Sequence, residues 1–190
     1  MPASKPRLNM FNSVSLDGYF TDASNDMSWA HAGGDSDEFQ EFVAGNAKGE
    51  NALIFGRVTY EMMASFWPTP AAAQAMPEVA AGMNRAKKYV FSRNLKKADW
   101  ANTTVLHGEP AAEIAKLKRG AGPGLTILGS GSIVKQLAAA GLIDDYQLMV
   151  CPVILGSGRT LFDGIPGRPT LKLANSRSFK NGKVFLHYTV

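Results

Sequence analysis

The chain has 190 residues, of which 45% are hydrophobic and 19% are charged. This length and composition suffice for one sizeable core and exclude the disordered, collagen-like and disulfide-rich classes, so we expect a single domain over residues 1–190. The net charge is +4, and the basic residues are scattered rather than grouped in a stripe. This pattern favours a small anionic ligand and disfavours nucleic acid as a partner.

The sequence contains no signal for a membrane or a metal. Neither the first seven residues nor any later apolar run resembles a signal peptide or a membrane span of roughly 20 residues, so we expect a cytoplasmic protein. Cys151 is the only cysteine, and its position before Pro152 in an apolar strand predicts a buried structural thiol. The three histidines lie far apart without carboxylates at ligand spacing, so each is interpreted as an ordinary surface or core histidine, and no metal site is expected.

Predicted strands and helices alternate over the first two thirds of the chain. Strands are predicted at 8–14, 51–55, 88–92, 103–107 and 125–128, and helices after a cap at Asp35 or Ser36 and at 57–66, 110–118 and 132–140. A polar loop runs from the first strand to Gly34, and loops of that length in compact domains are commonly binding loops or lids. Three prolines interrupt the pattern between residues 68 and 77, and no element is assigned there.

The last third of the chain predicts antiparallel strands. Residues 146–152 alternate apolar and polar side chains, and strands at 171–179 and 183–190 flank Lys180-Asn181-Gly182, whose Asn-Gly pair is a strong hairpin signal. The whole order predicts an α/β fold with a mixed, mainly parallel sheet, helices on both faces and a C-terminal antiparallel hairpin. Met62, Met63 and Phe66 follow helical spacing and are predicted to lie in the core.

Three of the predicted strands run into turns of small, hydroxyl-bearing or arginine residues. They are Leu53-Ile54-Phe55 into Gly56-Arg57-Val58-Thr59, Tyr89-Val90-Phe91 into Ser92-Arg93, and Leu125-Thr126-Ile127-Leu128 into Gly129-Ser130-Gly131-Ser132. Because strand ends of an open α/β sheet lie along one edge, we expect the three turns to converge on one extended polyphosphate ligand.

Each turn has a chemistry suited to phosphate. The glycines and serines of 129–132 let backbone amides approach a pyrophosphate at the start of a helix. Arg57 and Thr59 open another helix and form a second anion site. Ser92 and Arg93 suit a monophosphate such as the 2′-phosphate of NADPH, which NAD lacks. Each piece alone also has a structural interpretation, as a chain reversal or a solvated helix residue.

Two common nucleotide-binding motifs are absent from the sequence. Val134 stands where a Gly-x-Gly-x-x-Gly motif beginning at Gly129 would have its third glycine, and no Gly-x-x-x-x-Gly-Lys-Ser/Thr segment occurs. The sequence therefore disfavours a Rossmann enzyme and a P-loop NTPase.

Six short motifs, in order from the first strand to the end of the chain, carry a family resemblance. They are Val14-Ser15-Leu16-Asp17-Gly18, Ser28-Trp29, Gly56-Arg57-Val58-Thr59-Tyr60-Glu61, Ser92-Arg93, Gly129-Ser130-Gly131-Ser132 and Pro152-Val153-Ile154-Leu155-Gly156-Ser157-Gly158. Together they resemble the dihydrofolate reductase-like superfamily, in the branch similar to the reductase domain of bacterial riboflavin biosynthesis. The resemblance implies the three-layer fold of that superfamily, NADPH lying across the strand ends, and a homodimer.

By position, the resemblance also implies the roles of individual residues. It implies that the adenosine 2′-phosphate side is held by Arg57, Thr59, Ser92 and Arg93, and the pyrophosphate by Gly129, Ser130, Gly131, Ser132 and Ile133. Gly56 is a further expected cofactor contact. Ser13, in the strand end at 12–16, would approach the nicotinamide. The zinc signature of the riboflavin-pathway deaminase is absent, which excludes deaminase activity.

These observations predict an NADPH-dependent reductase of a small heterocycle, either pterin-like or like a pyrimidine precursor of riboflavin. Few catalytic side chains are expected, because the cofactor carries the hydride. Asp17, Trp29 and Asp35 are predicted to line the substrate side, and Asp37, Glu38 and Glu41 remain alternatives for the carboxylate of the first helix. Asp17 can instead form a turn, Trp29 can fill the core, and Asp35 can cap the helix.

Two other functions compete with this prediction. A dimeric sensor or stress protein would keep the NADPH site without turnover, whereas a nucleic-acid binder would show a steep salt dependence of affinity. The loop from Gly156 to Arg159 is expected either to border the site or to belong to a dimer contact.

Overall fold

The chain folds into an eight-stranded sheet with helices on both faces, described by a computed structural model for residues 5–34 and 36–190. The strands are β1 (Leu8–Ser15), β2 (Tyr19–Thr21), β3 (Ala52–Gly56), β4 (Lys88–Phe91), β5 (Thr103–Leu106), β6 (Leu125–Leu128), β7 (Asp145–Cys151), β8 (Arg159–Thr160), β9 (Lys172–Ser178) and β10 (Val184–Thr189). The helices are α1 (Asp37–Ala47), α2 (Arg57–Phe66), α3 (Pro70–Ala75), α4 (Pro77–Arg85), α5 (Pro110–Arg119) and α6 (Gly131–Ala139), with a 3-10 helix at Ser28–His31. None of the helices in the described ranges is long and apolar enough to cross a bilayer.

The sheet has the strand order β5-β4-β3-β6-β1-β7-β10-β9. The pairs from β5 through to β7 are parallel, and β10 pairs antiparallel with both β7 and β9. This confirms the predicted mixed, mainly parallel sheet with a C-terminal antiparallel hairpin. The carboxyl ends of β4, β3, β6 and β1 consequently lie side by side along one edge of the sheet, which we call the carboxyl edge.

Strand β3 shows why the centre of the sheet is buried on both faces. Ala52, Leu53, Ile54 and Phe55 are all at most 9% exposed. Because side chains alternate along a strand, Ile54 packs in the cluster formed with α5 and α6, and Phe55 packs in the cluster formed with α2 and α4. A continuous apolar strand of this kind is typical of a parallel sheet covered by helices on both sides.

Two regions that the sequence left without elements are structured. Pro70 and Pro77 each stand at the first position of a short helix, where a missing N–H costs nothing, and Thr69 caps the first of these helices by accepting a hydrogen bond from Ala72 N. In the long polar loop, β2 pairs antiparallel with β8 to form a two-stranded ribbon.

The prediction that Met62 and Phe66 belong to the core is wrong. Their side chains are 50% and 43% exposed. The prediction for Met63 is right, since Met63 packs in the core cluster with Tyr60 of α2 and with Trp67, which follows the helix. Apolar spacing therefore identified the helix but only one of the three predicted core residues.

Lys88, at the start of β4, is a fully buried cation without a carboxylate partner among the described residues. Its ammonium donates hydrogen bonds to the carbonyl oxygens of Asn84, Ala86 and Ala101 at 3.2, 2.7 and 3.1 Å, and lies 4.4 Å from the centre of the Trp100 ring. These contacts tie the end of α4 to the loop before β5. Burial lowers the pKa of Lys88 to about 8.

Stability is expected to rise with pH because of Lys88. Between about pH 8 and the ordinary lysine pKa of about 10.4, the unfolded chain holds a proton that the folded chain has lost, so the free energy of unfolding should increase by up to about 3 kcal/mol. Urea titrations at pH 7.5, 9 and 10 should show this rise in the wild type and in the exposed control Lys87→Met, and not in Lys88→Met. An equal slope in both variants would contradict the assignment.

Candidate active site

A hydrogen bond joins the turns that follow β3 and β6. The backbone N–H of Gly56 donates to Ser130 Oγ at 2.7 Å. Ser130 has φ 58° and ψ 63°, a left-handed conformation that is uncommon for a residue with a Cβ atom, and Gly129 before it has φ 64°. This left-handed turn directs the Ser130 hydroxyl towards Gly56 at the end of β3. Such conformations occur preferentially at functional sites, where the surrounding structure holds them in place.

The glycines of the 129–132 turn permit close contacts on both sides. A Cβ atom on Gly129 would lie 3.1 Å from Thr59 Cγ2, and one on Gly131 would lie 2.3 Å from the Phe20 ring. The turn is therefore held between the first turn of α2 and Phe20 of the ribbon. Larger residues would push these elements apart.

Two helices begin next to each other at this point of the carboxyl edge. Helix α2 starts at Arg57, and α6 starts at Gly131. The N–H groups of Gly131 and Ser132 have no protein acceptor within the described ranges, as expected for the first turn of a helix. Adjacent helix N-termini present backbone donors and positive partial charge, which is the arrangement that binds phosphate groups.

Ser92 and Arg93 directly follow β4, the neighbour of β3, so they add a third turn to the carboxyl edge. Gly56 of β3 is in register with Phe91 of β4, so Arg57 and Ser92 follow on neighbouring strands about 4.8 Å apart. The structure thus brings together the three turns that the sequence singled out, from Ser92 through Gly56 to Ser132.

Both arginines of the edge carry carboxylate partners. Arg57 pairs with Glu61 at 2.7 Å, and Arg93 pairs with Glu109 at 3.0 Å. All four side chains are substantially exposed to solvent, so each pair contributes little to stability and either arginine can exchange its carboxylate for another anion.

Ile133, whose cofactor contact remains a prediction, is a core residue in the first turn of α6. Its side chain is 4% exposed in the core, and its N–H donates to Ser130 O at 2.8 Å. With the donor used inside the helix and the side chain packed, Ile133 anchors α6 on the sheet.

Asp17 holds two loops together. Its carboxylate accepts hydrogen bonds from Ser15 Oγ at 2.6 Å, from Gly156 N at 2.7 Å and from Leu155 N at 3.2 Å. The bond from Ser15, supported by those from Gly156 and Leu155, lowers the pKa of Asp17. The carboxylate is therefore ionised at neutral pH, which does not suit a proton donor, and a catalytic role for Asp17 remains a prediction. The same bonds place the Gly156 loop against the end of β1, beside the candidate site.

Trp29, Ser13 and Cys151 lie near the carboxyl end of β1. Trp29 is half-buried against the cluster that includes Cys151 and Phe39, and its indole N–H donates to Asp26 O at 3.1 Å. The Cys151 thiol lies 3.7 Å from Ala30 O and 3.8 Å from Met149 O, and burial raises its pKa. The thiol is thus structural, and aromatic side chains pack in the same cluster.

Lys183 is a residue at this face that sequence reasoning missed. It is 3% exposed, and its ammonium lies 4.4 Å from the centre of the Phe39 ring, near enough to Cys151 for its charge to act on the thiol. In the sequence, Lys183 follows an Asn-Gly turn and has the pattern of a solvated lysine. Only the antiparallel pairing of β10 with β7 brings it to the carboxyl edge.

The carboxylates near the first helix are spread over different environments. Asp35 lies outside the described residues. Asp37 is exposed at the start of α1, Glu41 is exposed one turn later, and Glu38 accepts a hydrogen bond from Lys180 N at 2.5 Å. Nowhere in ranges 5–34 and 36–190 do three His, Cys, Asp or Glu side chains form a group suited to a metal ion.

The bond between Ser130 and Gly56 can be tested by comparing two substitutions. Ser130→Ala leaves the Gly56 N–H unpaired and should lower the free energy of unfolding by about 1–3 kcal/mol. Ser130→Gly loses the same bond but relieves the left-handed backbone, so it should be less destabilising by about 1 kcal/mol. Urea denaturation measures both.

Ser132→Ala is the matched control for this comparison. The Ser132 side chain is exposed one residue into α6, and its loss should change stability by less than about 0.5 kcal/mol. A Ser130→Ala variant as stable as Ser132→Ala would show that the bond does not hold the turns together.

Comparison with known proteins gives one family, one similar protein sequence and two similar solved structures. Residues 6–185 match the model of the family described as RibD C-terminal domain. The uncharacterized protein YyaP of Bacillus subtilis (strain 168) is 27% identical over 179 residues, covering 92% of this chain and 90% of that protein.

Two solved structures show the same fold. A protein of Shewanella sp. PV-4 assigned to riboflavin biosynthesis has a TM-score of 0.71 at 20% identity, with 96% of this chain and 98% of that chain covered. Dihydrofolate reductase from Enterococcus faecalis, complexed with NADP(H) and RAB-propyl, has a TM-score of 0.61 at 15% identity, with 98% of each chain covered.

Proposed function

The chain belongs to the RibD C-terminal domain family and has a dihydrofolate reductase-like fold, and we propose on this basis that it is an NADPH-dependent reductase of a small heterocyclic substrate. Family and fold together support a reductase-like function. The proposed substrate is either a pterin such as dihydrofolate or a pyrimidine precursor of riboflavin.

The observation that carries the proposal is the convergence of three donor-rich turns on one edge of the sheet. The Ser130–Gly56 bond and the β3–β4 register place two helix N-termini and the Ser92-Arg93 turn in one row. A row of separated anion sites suits a ligand with several phosphate groups, because each phosphate can meet its own set of donors.

The donors divide into two groups that fit the two phosphate regions of NADPH. The N–H groups of Gly131 and Ser132 fit the pyrophosphate, and the guanidinium groups of Arg57 and Arg93 fit the 2′-phosphate. NADPH, when bound, supplies the hydride. The chain's own residues orient the cofactor and keep its phosphates fixed.

The substrate side of the site is assigned to the face lined by Trp29, Ser13 and Lys183. Trp29 and the neighbouring Phe39 offer aromatic surface for a flat heterocycle. The Lys183 ammonium offers a cationic donor to a ring carbonyl oxygen at the same face. Both features suit a pterin and a pyrimidine alike.

Calorimetric titration with NADPH and NADH tests the cofactor. Arg57→Gln and Arg93→Gln should each weaken NADPH binding by about 10- to 100-fold, since a charge-assisted hydrogen bond contributes about 1.5–3 kcal/mol, and should leave NADH binding unchanged. Arg119→Gln, an exposed arginine at the end of α5, is the control that should bind both nucleotides as the wild type does. No binding of either nucleotide to the wild type would refute the proposal.

Turnover is tested separately by following NADPH oxidation with dihydrofolate and with 5-amino-6-(5-phosphoribosylamino)uracil. A reductase oxidises NADPH with at least one heterocycle of these two classes. Binding of NADPH without oxidation would instead favour an NADPH-binding sensor or stress protein, a role consistent with the ionised, fully engaged Asp17.

A homodimer is a further part of the proposal. Strand β9 forms an open edge of the sheet, and all seven of its residues are exposed. An unpaired edge strand is a template for pairing with another chain. Light scattering should give twice the mass of one chain, and substituting Leu173, which is 57% exposed on this strand, with lysine should shift the mass towards the monomer.

A further inference from the structure

A cavity of about 340 Å³ lies at the edge of the sheet where β1, β3 and β6 begin, which we call the amino edge. Its walls come from the segments that precede these strands: Lys5 to Arg7 before β1, Asn51 before β3, and Gly122 and Gly124 before β6. Because parallel strands begin at one edge and end at the other, the cavity is separated from the candidate active site by the length of the strands. Its volume is at the lower end of the range for small-molecule sites, about 300–1,000 Å³.

Polar side chains from three neighbouring strands form the floor of this cavity. Asn9 of β1 lies beside Asp145 of β7, and Gln147 of β7 lies beside His187 of β10. Their neighbours along the strands pack on the opposite face, in the cluster formed with α5 and α6. Parallel strands in the middle of a sheet are normally apolar on both faces, as β3 is here. The polar floor therefore departs from the pattern of a sheet whose faces are covered by helices.

Asp145 is the buried anchor of the floor. It is 6% exposed, and its two carboxylate oxygens accept hydrogen bonds from Arg7 Nε at 2.8 Å and from His187 Nε2 at 2.9 Å. Burial opposes the ionisation of Asp145, but these two bonds outweigh burial and lower its pKa. The ionised carboxylate thus fixes the Arg7 guanidinium at the wall of the cavity.

Two side-chain amides of the floor have no partner among the described residues. Asn9 and Gln147 are half-buried, and neither amide takes part in a hydrogen bond within residues 5–34 and 36–190. Asn51 in the wall differs, since its Nδ2 donates to Thr126 Oγ1 at 2.9 Å. Polar groups that lose water on burial cost free energy unless a partner replaces the water. The two amides therefore present free donors and acceptors to a molecule in the cavity.

The charges that line the cavity favour an anion. Lys5 and Arg7 are positive and Asp145 is negative, so one positive charge is unbalanced. A carboxylate fits this charge, because ammonium and guanidinium groups form charge-assisted hydrogen bonds with carboxylate oxygens. No Phe, Tyr or Trp from the described part of the chain lines the cavity, so a nucleobase would find no aromatic surface on which to stack.

We propose that the cavity at the amino edge is a second ligand site, which binds a small organic carboxylate. The carboxylate group pairs with Lys5 and Arg7, and the other polar groups of the ligand exchange hydrogen bonds with Asn9 and Gln147. This site is separate from the proposed cofactor and substrate site and does not depend on the proposed reductase function.

Calorimetric titration with malate and with its uncharged diamide, malamide, tests the class of ligand. Malate should bind saturably, and malamide at least about tenfold more weakly, because it forms no charge-assisted hydrogen bond. Lys5→Gln and Gln147→Leu should each weaken malate binding about tenfold. Lys135→Gln, which removes a half-exposed charge from α6 on the other face of the sheet, is the control and should bind malate as the wild type does.

Nuclear magnetic resonance locates the bound carboxylate. The side-chain amide signals of Asn9 and Gln147 should shift during the titration, with the dissociation constant that calorimetry gives. Shifts confined to the backbone amides of Arg93, Gly131 and Ser132 would instead place malate at the carboxyl edge and would overturn the assignment. It would also be overturned if acetate, malate and citrate, a series of increasing size and charge, all failed to bind saturably.

The variants separate binding from folding and from the reductase proposal. Neither Lys5 nor Gln147 forms a hydrogen bond or an ion pair within the described ranges, so thermal melting should show that both variants fold like the wild type. Malate affinity that is the same in the wild type, Lys5→Gln and Gln147→Leu would refute the site. NADPH affinity should be unchanged in both variants, and a failure of malate to bind leaves the proposed reductase function intact.

Discussion

The candidate site depends on one hydrogen bond, from the Gly56 N–H to Ser130 Oγ. It fixes the beginnings of two helices relative to each other at the ends of adjacent parallel strands. Ser130 can form it only from a left-handed backbone conformation, which a residue with a Cβ atom adopts at a cost of about 1–2 kcal/mol. Other interactions in the fold offset that conformational free energy, and the hydrogen bond fixes the backbone donors of the two turns relative to each other.

The carboxyl edge separates two kinds of residue by strand order. Helix N-termini and the two arginines lie on the β4, β3 and β6 side. Trp29 and Lys183 lie on the β1, β7 and β10 side. Asp17 binds the Gly156 loop to the end of β1, so its carboxylate fixes the position of that loop.

Two buried lysines show that the surroundings of an ammonium group decide its role. Lys88 is enclosed by three carbonyl oxygens and the Trp100 ring far from the carboxyl edge, and it links α4 to a loop. Lys183 lies over the Phe39 ring at the carboxyl edge, in the cluster that contains Cys151.

By itself, the sequence determined the main strands and helices, the mixed sheet and the three turns rich in glycine, serine and arginine, because apolar periodicity, prolines and glycines act over a few neighbouring residues. It also placed those turns together, since parallel strands end at one edge. Only the tertiary structure decided which apolar residues of α2 are buried, that Asp17 accepts hydrogen bonds from the Gly156 loop, and that Lys183 packs over Phe39. Those properties depend on contacts between residues up to 139 positions apart. The residues next to a side chain in the sequence do not specify which distant atoms will surround it in the folded protein.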